Sequence, residues 1–169
     1  MLTQEILKQH LSYDPGTGLF RWIKNRGQLR KMGNIAGCYV HGYIGIRVLN
    51  GRRHGAHRLA WLYVYGEWPA FDIDHINGIK HDNRICNLRE ATRQQNTYNR
   101  KAPINNTSGY KGVSWHKSTG KWRATIKYKG KYRHLGTYNS PQEAHARYVA
   151  FAEAIAGDFL HESLKKTDT

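Results

Sequence analysis

Cysteine is scarce in this chain of 169 residues, which contains only Cys38 and Cys86. Neither cysteine lies in a CxxC pair, so a structural zinc site with four cysteine ligands is excluded. Two cysteines also argue against a disulfide framework of the kind that staples small secreted domains. We therefore expect both cysteines to be small buried residues.

Long apolar runs are absent as well. No stretch approaches the roughly 18 apolar residues that a membrane-spanning helix needs. The N-terminus, MLTQEILKQHLSYDPG, lacks the apolar segment after a basic start that marks a signal peptide. We therefore expect an intracellular protein that has no contact with a membrane. The apolar content of 39% is sufficient for a buried core.

Acidic residues are few. The chain has 12 Asp and Glu residues and 27 Lys and Arg residues, and its formal net charge is +15. Such an excess repels itself unless a polyanion neutralises it. Nucleic acid is the expected partner, with an affinity that falls steeply as salt rises. A merely basic surface without a partner is the alternative. Net charge does not distinguish DNA from RNA, or specific from non-specific binding.

Residues 1–56 are predicted to form a small β-rich unit. A short helix over about residues 3–11, with Thr3 at its N-cap, precedes the turn and strand of YDPGTGLFRWI. The segment AGCYVHGYIGIRVLNGRRHGAH predicts two strands, and Asn50-Gly51 is a hairpin signal. This unit is expected to extend the binding of nucleic acid and to support the residues that follow it.

Residues 57–100 change in character. HRLAWLYVYGEWP is typical of a helix that ends near Gly66, with Leu59, Leu62 and Val64 on its buried side. IDHINGIKHDNRICNL predicts a strand, a loop and a return strand, and REATRQQNTYNR predicts a final helix. Residues 101–108, KAPINNTS, are a linker in which Pro, Asn and Ser dominate.

Residues 109–160 predict three short strands and one helix, and residues 161–169 are a tail. The start of the helix is well defined in the sequence, with Ser140 at the N-cap, Pro141 at N1 and Glu143 at N3. Gly157 follows its end. The fold class is α+β: a β-rich unit leads into a strand-strand-helix core, and a three-stranded antiparallel sheet then packs on one helix.

Strand alternation divides the second of these three strands into two faces. One face would meet the helix, and the other would be available to a partner. The first face carries Trp122, Ala124, Ile126 and Tyr128, and the second carries Arg123, Thr125 and Lys127.

Residues 72–100, DIDHINGIKHDNRICNLREATRQQNTYNR, combine an Asp-His pair, a central Asn and an Asn nine residues further on. In this pattern the chain resembles the HNH nucleases, the ββα-metal family that includes phage and intron-borne homing endonucleases. The resemblance implies that His75 is the general base, that Asn87 holds the catalytic loop, and that Asp74 and Asn96 bind a metal. It implies Mg²⁺ as the cofactor, for which Mn²⁺ can substitute.

Several neighbouring residues have more than one interpretation. Alternation turns adjacent strand residues to opposite sides, so we expect Asp74 and His75 to lie at a bend. Asn99 competes with Asn96 for the metal. His57 could contact phosphate, bind the catalytic loop, or only cap or pack. Asn77, Asp82 and Asn83 are interpreted as turn residues and His81 as an exposed loop residue. The arginines around the motif are Arg84, Arg89, Arg93 and Arg100. Arg84, Arg93 and Arg100 are predicted to hold DNA phosphates, and a merely solvated side chain is the alternative for each arginine.

The stretches YKGVSW, GKWRATIKY and HLGTYNSPQEAHARYVAFAEAIAG resemble, in this order, the APETALA-type (ethylene-response-factor) DNA-binding domain. The resemblance implies that the sheet lies in the major groove, where base edges are distinguishable. Ser114, Thr125 and His134 replace a usual Arg, Glu and Trp, so the plant target sequence does not carry over. The implied contact positions are Lys111, Ser114, His116, Arg123, Thr125, Lys127, Tyr132 and His134.

Together the two resemblances predict a metal-dependent endonuclease of phage or homing type that acts on double-stranded DNA. A monomer with one active site would nick one strand. Two alternatives stay open: a DNA-binding regulator whose nuclease site has decayed, and a non-specific or structure-selective phage nuclease.

Overall fold

The computed structural model describes residues 1–25, 27–28, 30–49, 51–100, 102–103 and 105–160. The chain divides into two compact units, the first from Met1 to Thr92 and the second from Arg93 onward. The predicted tail, Asn50 of the predicted hairpin, and Lys101 and Ile104 of the predicted linker lie outside the described residues.

The described residues of the first unit form two helices, seven strands and a short 3-10 helix. The helices are α1 (Gln4–Lys8) and α2 (Ala56–Tyr65), and the 3-10 helix is Ile85–Asn87. The strands are β1 (Leu11–Asp14), β2 (Leu19–Trp22), β3 (Cys38–Val40), β4 (Tyr43–Ile46), β5 (His54–Gly55), β6 (Asp72–His75) and β7 (Leu88–Ala91).

Helix α1 begins where the sequence predicts, because the side chain of Thr3 accepts a hydrogen bond from the backbone of Ile6. The helix ends earlier than predicted, at Lys8, and Leu11 opens strand β1. The strand prevails because Leu11 and Tyr13 alternate with exposed residues and pair antiparallel with β2.

The segment after Ala36 forms three strands in the order β3-β4-β5, where two were predicted. His41 and Gly42 connect β3 to β4, and both have positive φ values, of 51° and 85°. Two left-handed residues in a two-residue loop are the geometry that a tight hairpin requires. The first turn of this sheet is therefore at His41-Gly42, a position that the sequence pattern did not indicate.

Helix α2 ends at the predicted place, because Gly66 adopts the left-handed conformation that closes a helix. Leu59 and Leu62 are buried as predicted. Val64 is 41% exposed, so its predicted burial is wrong. It lies two residues beyond Leu62, or about 200° further around the helix, and that position faces water.

One hydrophobic core serves the whole first unit. Leu7 and Phe20, from the N-terminal part, pack in the same cluster as Leu59 of α2, Ile73 of β6 and Leu88 of β7. The strand pair that carries the Asp-His motif is thus supported by the first 56 residues and by α2 together.

The second unit contains the predicted three-stranded antiparallel sheet packed on one helix. The sheet has the order β10-β9-β8, and the long helix begins as predicted, since Ser140 accepts from the backbone N–H of Glu143. The elements are α3 (Arg93–Asn99), β8 (Val113–His116), β9 (Lys121–Tyr128), β10 (Lys131–Tyr138), α4 (Pro141–Ala156) and a 3-10 helix, Gly157–Phe159.

Both cysteines are exposed and unpaired, so the prediction that they are buried is wrong. Cys38 lies on β3, a short strand with no buried residue, and Cys86 lies in the 3-10 helix between the loop that follows β6 and strand β7. Cysteine is often buried, but the local exposure of each element decides its environment. Within the described part of the chain, no helix has the length and apolar character to cross a membrane.

Candidate active site and DNA-facing sheet

Strand β6 carries the Asp-His pair at its C-terminal end. Ile73, Asp74 and His75 are all buried, because the strand is covered on both faces. The strand stays regularly paired through His75, opposite Leu88, and the turn begins only after the pair. The expected bend at the pair is therefore not present: the two adjacent side chains contact different partners on the two covered faces.

The carboxylate of Asp74 is held by an arginine on the neighbouring strand. The antiparallel register sets Arg89 of β7 directly opposite Asp74. Arg89 Nε and Nη2 both donate to Asp74 Oδ2, at 3.0 and 2.9 Å. Because Asp74 is only 4% exposed, this ion pair compensates for the burial of its charge. From the sequence, Arg89 is only one of several arginines near the motif, and the register gives it this specific partner.

Asn87 spans the loop that follows β6. Its Oδ1 accepts from the backbone N–H of Asn77 at 3.0 Å, and its Nδ2 donates to the backbone carbonyl of Asp82 at 2.8 Å. Its own carbonyl accepts from Ile76 at 2.9 Å. One buried amide thus ties both ends of the loop to the start of β7, which is the arrangement that the resemblance implies for it.

The imidazole of His75 lies in a closely packed polar pocket. Its Nε2 is 3.3 Å from Oδ1 of Asn83, and its ring centroid is 5.3 Å from that of His57 and 6.0 Å from that of Tyr43. Burial lowers the pKa of His75, while the hydrogen bond with Asn83 and the charge of Asp74 act in the opposite direction. Burial is the largest of these effects, and it favours the neutral form of the imidazole.

His57 is a second histidine in this pocket. It is the second residue of α2, and its ring packs against the rings of Tyr43 and His75. Burial, with smaller contributions from His75 and Arg58, lowers the pKa of His57 to about 4. Its Nδ1 is buried and has no hydrogen-bond partner among the described residues. Of the roles considered for His57, packing against the predicted base is the one that these contacts support.

The loop residues interpreted as turn residues divide into two kinds. Asn77 Oδ1 accepts from the backbone of Ile79 at 2.8 Å, as a turn asparagine does. Asp82 forms an ion pair with Arg84 at 2.6 Å, and the hydrogen bond from Arg84 lowers the pKa of Asp82 to about 2. Asn83 differs, because it is 2% exposed and directed at His75. The sequence does not reveal this role, since burial of a loop amide leaves no local signal.

The predicted metal ligands make a sparse donor set. Among the described residues, no group of three or more His, Cys, Asp and Glu side chains is arranged to hold a metal ion. One carboxylate and one amide oxygen nevertheless suit Mg²⁺, because this ion keeps several of its waters and needs only one or two protein carboxylates. The chemistry of Asp74 and Asn96 therefore fits the ion that the resemblance implies.

Helix α3 belongs to the second unit and is described with it. Asn96 is half-buried on this helix, whereas Asn99 is only 4% exposed. Arg93 and Arg100, at the two ends of the helix, are exposed. Pairing of Asn96 with Asp74 in one metal site stays a prediction from the resemblance.

Lys111 fastens helix α3 to the second unit. Its Nζ donates to the backbone carbonyls of Thr97 and Tyr98, at 2.9 Å each, and to that of Arg100. Burial lowers the pKa of Lys111 to about 8, with a smaller contribution from the charge of Arg100. Because the last carbonyls of a helix lack intrahelical partners, a cation at this position satisfies them. Contact of Lys111 with DNA stays a prediction.

The other positions predicted to contact DNA come together on one face of the sheet. Residues that lie directly opposite each other in antiparallel strands share a face. His116 lies opposite Lys121 on the same face. The remaining six form three opposed pairs, which are Ser114 with Arg123, Thr125 with His134, and Lys127 with Tyr132.

This face is partly exposed and carries positive charge. Tyr132 is 78% exposed, and Lys127 and His134 are exposed beside it. The three strands contain no acidic residue. The opposite face buries Ala124 and Ile126 against α4, as the alternation predicts. A sheet with one buried apolar face and one open cationic face is suited to a polyanion.

Two family models match the chain: HNH endonuclease over residues 54–98 and AP2 domain over residues 108–158. Protein 3.8 of Escherichia phage T7 is 33% identical to this chain over an alignment of 106 residues. The alignment covers 56% of this chain and 88% of that relative. No solved structure shows a significant match to this chain. The two domain matches occur in the order that the sequence motifs predict.

Proposed function

This chain belongs to the HNH endonuclease family and carries an AP2 domain after its nuclease motif, and from that membership we propose that it is a metal-dependent nuclease that cuts one strand of double-stranded DNA. The observation that carries the proposal is the buried pocket in which His75 contacts Asn83, while Asn87 spans the loop. A chain that only bound DNA would have no need to bury and align these polar groups.

The chemistry assigns one task to each side chain. His75 takes a proton from a water molecule, whose oxygen forms a bond to phosphorus while the bond from phosphorus to the 3′ oxygen breaks. The leaving 3′ oxygen then takes a proton from solvent, so the products carry 5′-phosphate and 3′-hydroxyl ends. Asn87 keeps the loop, and with it the base, in position.

Asp74 and Asn96 would hold the metal. Bound Mg²⁺, or Mn²⁺ in its place, would neutralise the charge that develops on the phosphate and on the leaving oxygen. Arg89 orients the carboxylate of Asp74 through two hydrogen bonds to a single oxygen, Oδ2. Asn96 is preferred over Asn99 because it is the more accessible of the two amides on α3.

The three-stranded sheet of the AP2 domain would bind the DNA. The pairing of polar residues on one partly exposed face and the absence of carboxylates from its three strands support docking in a groove of double-stranded DNA. Arg84, Arg93 and Arg100 would hold phosphates nearer the cut. We expect the protein to act as a monomer inside a phage-infected cell, and to nick because one chain has one active site.

The test is to map cleavage on long phage DNA in the presence of Mg²⁺, with the two strands resolved on denaturing gels. Discrete ends on one strand, which a ligase can reseal, are the expected result. A smear of fragments would indicate the non-specific nuclease instead, and paired cuts on both strands would contradict nicking by a monomer.

A further inference from the structure

Asn83 is buried beside the predicted base although it lies in a loop. It is 2% exposed, and its amide oxygen is 3.3 Å from Nε2 of His75. An asparagine that only makes a turn bonds to its own backbone neighbours and faces water. The burial of Asn83 and its contact with a residue eight positions away indicate a further role.

The two ends of the Asn83 amide are distinguished by what each end faces. Nδ2 donates to the backbone carbonyl of His81 at 3.2 Å, and a carbonyl oxygen can only accept. A flipped amide would set Oδ1 against that carbonyl with no proton between the two oxygens. Oδ1 is therefore the end that faces His75.

This orientation fixes the tautomer of His75. Because Oδ1 of Asn83 can only accept, Nε2 of the neutral imidazole carries the ring proton, and the lone pair is on Nδ1. We propose that Asn83 is a positioning residue that holds His75 in the tautomer whose Nδ1 takes the proton from the attacking water. The proposal rests on the proposed function, because it orients His75 for the role of general base.

The hairpin of β1 and β2 holds Asn83 in place. The hydroxyl of Tyr13 donates to the backbone carbonyl of Asn83 at 2.7 Å. At Gly18, where φ is +73°, an added Cβ would lie 2.6 Å from the carbonyl carbon of Asn83 and 2.5 Å from the nitrogen of Arg84. Only glycine allows this approach. The N-terminal residues thereby support the chemistry through Asn83.

The first measurement is the tautomer itself, in the full-length protein with ¹⁵N-labelled histidines and without DNA or metal. The ring nitrogens are observed by long-range ¹H–¹⁵N correlation at about pH 8, where an ordinary histidine, with a pKa of about 6.5, is neutral. The His75→Gln variant identifies the His75 signals among those of the ten histidines. We expect the proton on Nε2. A proton on Nδ1 would overturn the proposal.

Variants of Asn83 then connect the tautomer to the rate. Asn83→Leu keeps the size but removes the acceptor, so the Nδ1–H tautomer should become populated and kcat should fall about 10- to 100-fold, with DNA affinity unchanged. Asn83→Asp keeps an acceptor oxygen and should restore the Nε2–H tautomer and part of the rate. Asn77→Ala is the matched control, because it loses loop hydrogen bonds but leaves this acceptor, and the tautomer should stay as in the wild type.

The outcomes separate this proposal from the proposed function. A wild type with the Nε2–H tautomer that cleaves no DNA with any metal confirms that Asn83 sets the tautomer of His75 and refutes the nuclease. An active enzyme whose Asn83→Leu variant cleaves at the wild-type rate refutes the positioning role. If Asn83→Leu does not fold, the wild-type tautomer and the rate of Asn83→Asp decide the question.

Discussion

The two units of the molecule use their polar side chains in opposite ways. In the first unit Asp74, His75, Asn83 and Asn87 are buried and bonded to other groups of the same unit. In the second unit the polar side chains of the sheet stand opposite one another on an open face. Hydrolysis of a phosphodiester needs catalytic groups that are fixed in one geometry, whereas DNA binding needs hydrogen-bond donors that are accessible to phosphates and bases.

This difference predicts where substitutions act. Removing a buried hydrogen-bonding group leaves its partner unsatisfied and costs about 1–3 kcal/mol, whereas substitutions on an open face usually cost less than about 0.5 kcal/mol. Changes in the first unit should therefore affect folding and the rate of cleavage, and changes on the sheet should affect DNA affinity.

The largest combined effect is expected for Asn87→Ala. The variant loses both bonds across the loop, so the free energy of unfolding should fall by about 2–4 kcal/mol, since two buried groups lose their partner. Cleavage should fall about 100-fold, because the base is no longer held. Urea denaturation and single-turnover cleavage measure the two effects. A stable variant with full activity would show that the buried network is dispensable.

Lys111 is a polar residue of the second unit that is bonded within its own unit rather than open to DNA. Its side chain holds helix α3, where the HNH match ends, in the second unit. Lys111→Met should lower the free energy of unfolding by about 1–3 kcal/mol and accelerate amide exchange in α3, because three carbonyls lose their donor. Lys111→Arg, which keeps a charged donor, is the control and should retain most of the protection. If Lys111→Met lowers only DNA affinity, then Lys111 binds DNA, as the resemblance implies.

Arg123 and Lys127 test the open face. Alanine at either position should weaken DNA binding and reduce the salt dependence of log K by roughly one unit for each phosphate that the variant no longer binds. Little change in stability is expected for Lys127→Ala, because Lys127 is exposed, whereas Arg123 is half-buried. Binding titrations at several salt concentrations measure the slope. Glu153, on the exposed side of α4, offers a control substitution to Ala away from the sheet. An unchanged slope for both sheet variants would mean that this face does not bind DNA.

The smallest effect on folding is expected for Arg84→Ala, which removes an ion pair between the exposed side chain of Arg84 and the half-buried carboxylate of Asp82. An ion pair with one partner in water contributes little to stability, so the melting temperature should change only slightly. If Arg84 also holds a phosphate, DNA affinity should fall while the His75 environment, followed by NMR, stays the same. A large loss of stability would place Arg84 with the buried network of the first unit rather than with the groups that bind DNA.

The sequence predicts the AP2 unit better than the catalytic loop, for a physical reason. The alternation in β9 and the Ser140-Pro141 start of α4 are patterns within a few neighbouring residues, and the structure shows the strand and the helix start that they predict. The positions of Asn83 and Arg89 depend on contacts eight and fifteen residues away, with His75 and Asp74. The exposure of the two cysteines, Cys38 and Cys86, and the early end of α1 also depend on how distant segments pack. A short stretch of sequence does not predict this packing.

Cleavage of supercoiled plasmid and of phage genomic DNA by the wild type and by His75→Ala, with Mg²⁺, with Mn²⁺ and with EDTA, tests the central claim most directly. The account predicts conversion of the plasmid to open circles by the wild type in either metal, none in EDTA, and a loss of at least about 100-fold in the variant with DNA binding retained. Tight binding of both DNAs without cleavage in any metal, or equal cleavage by the variant, would contradict it.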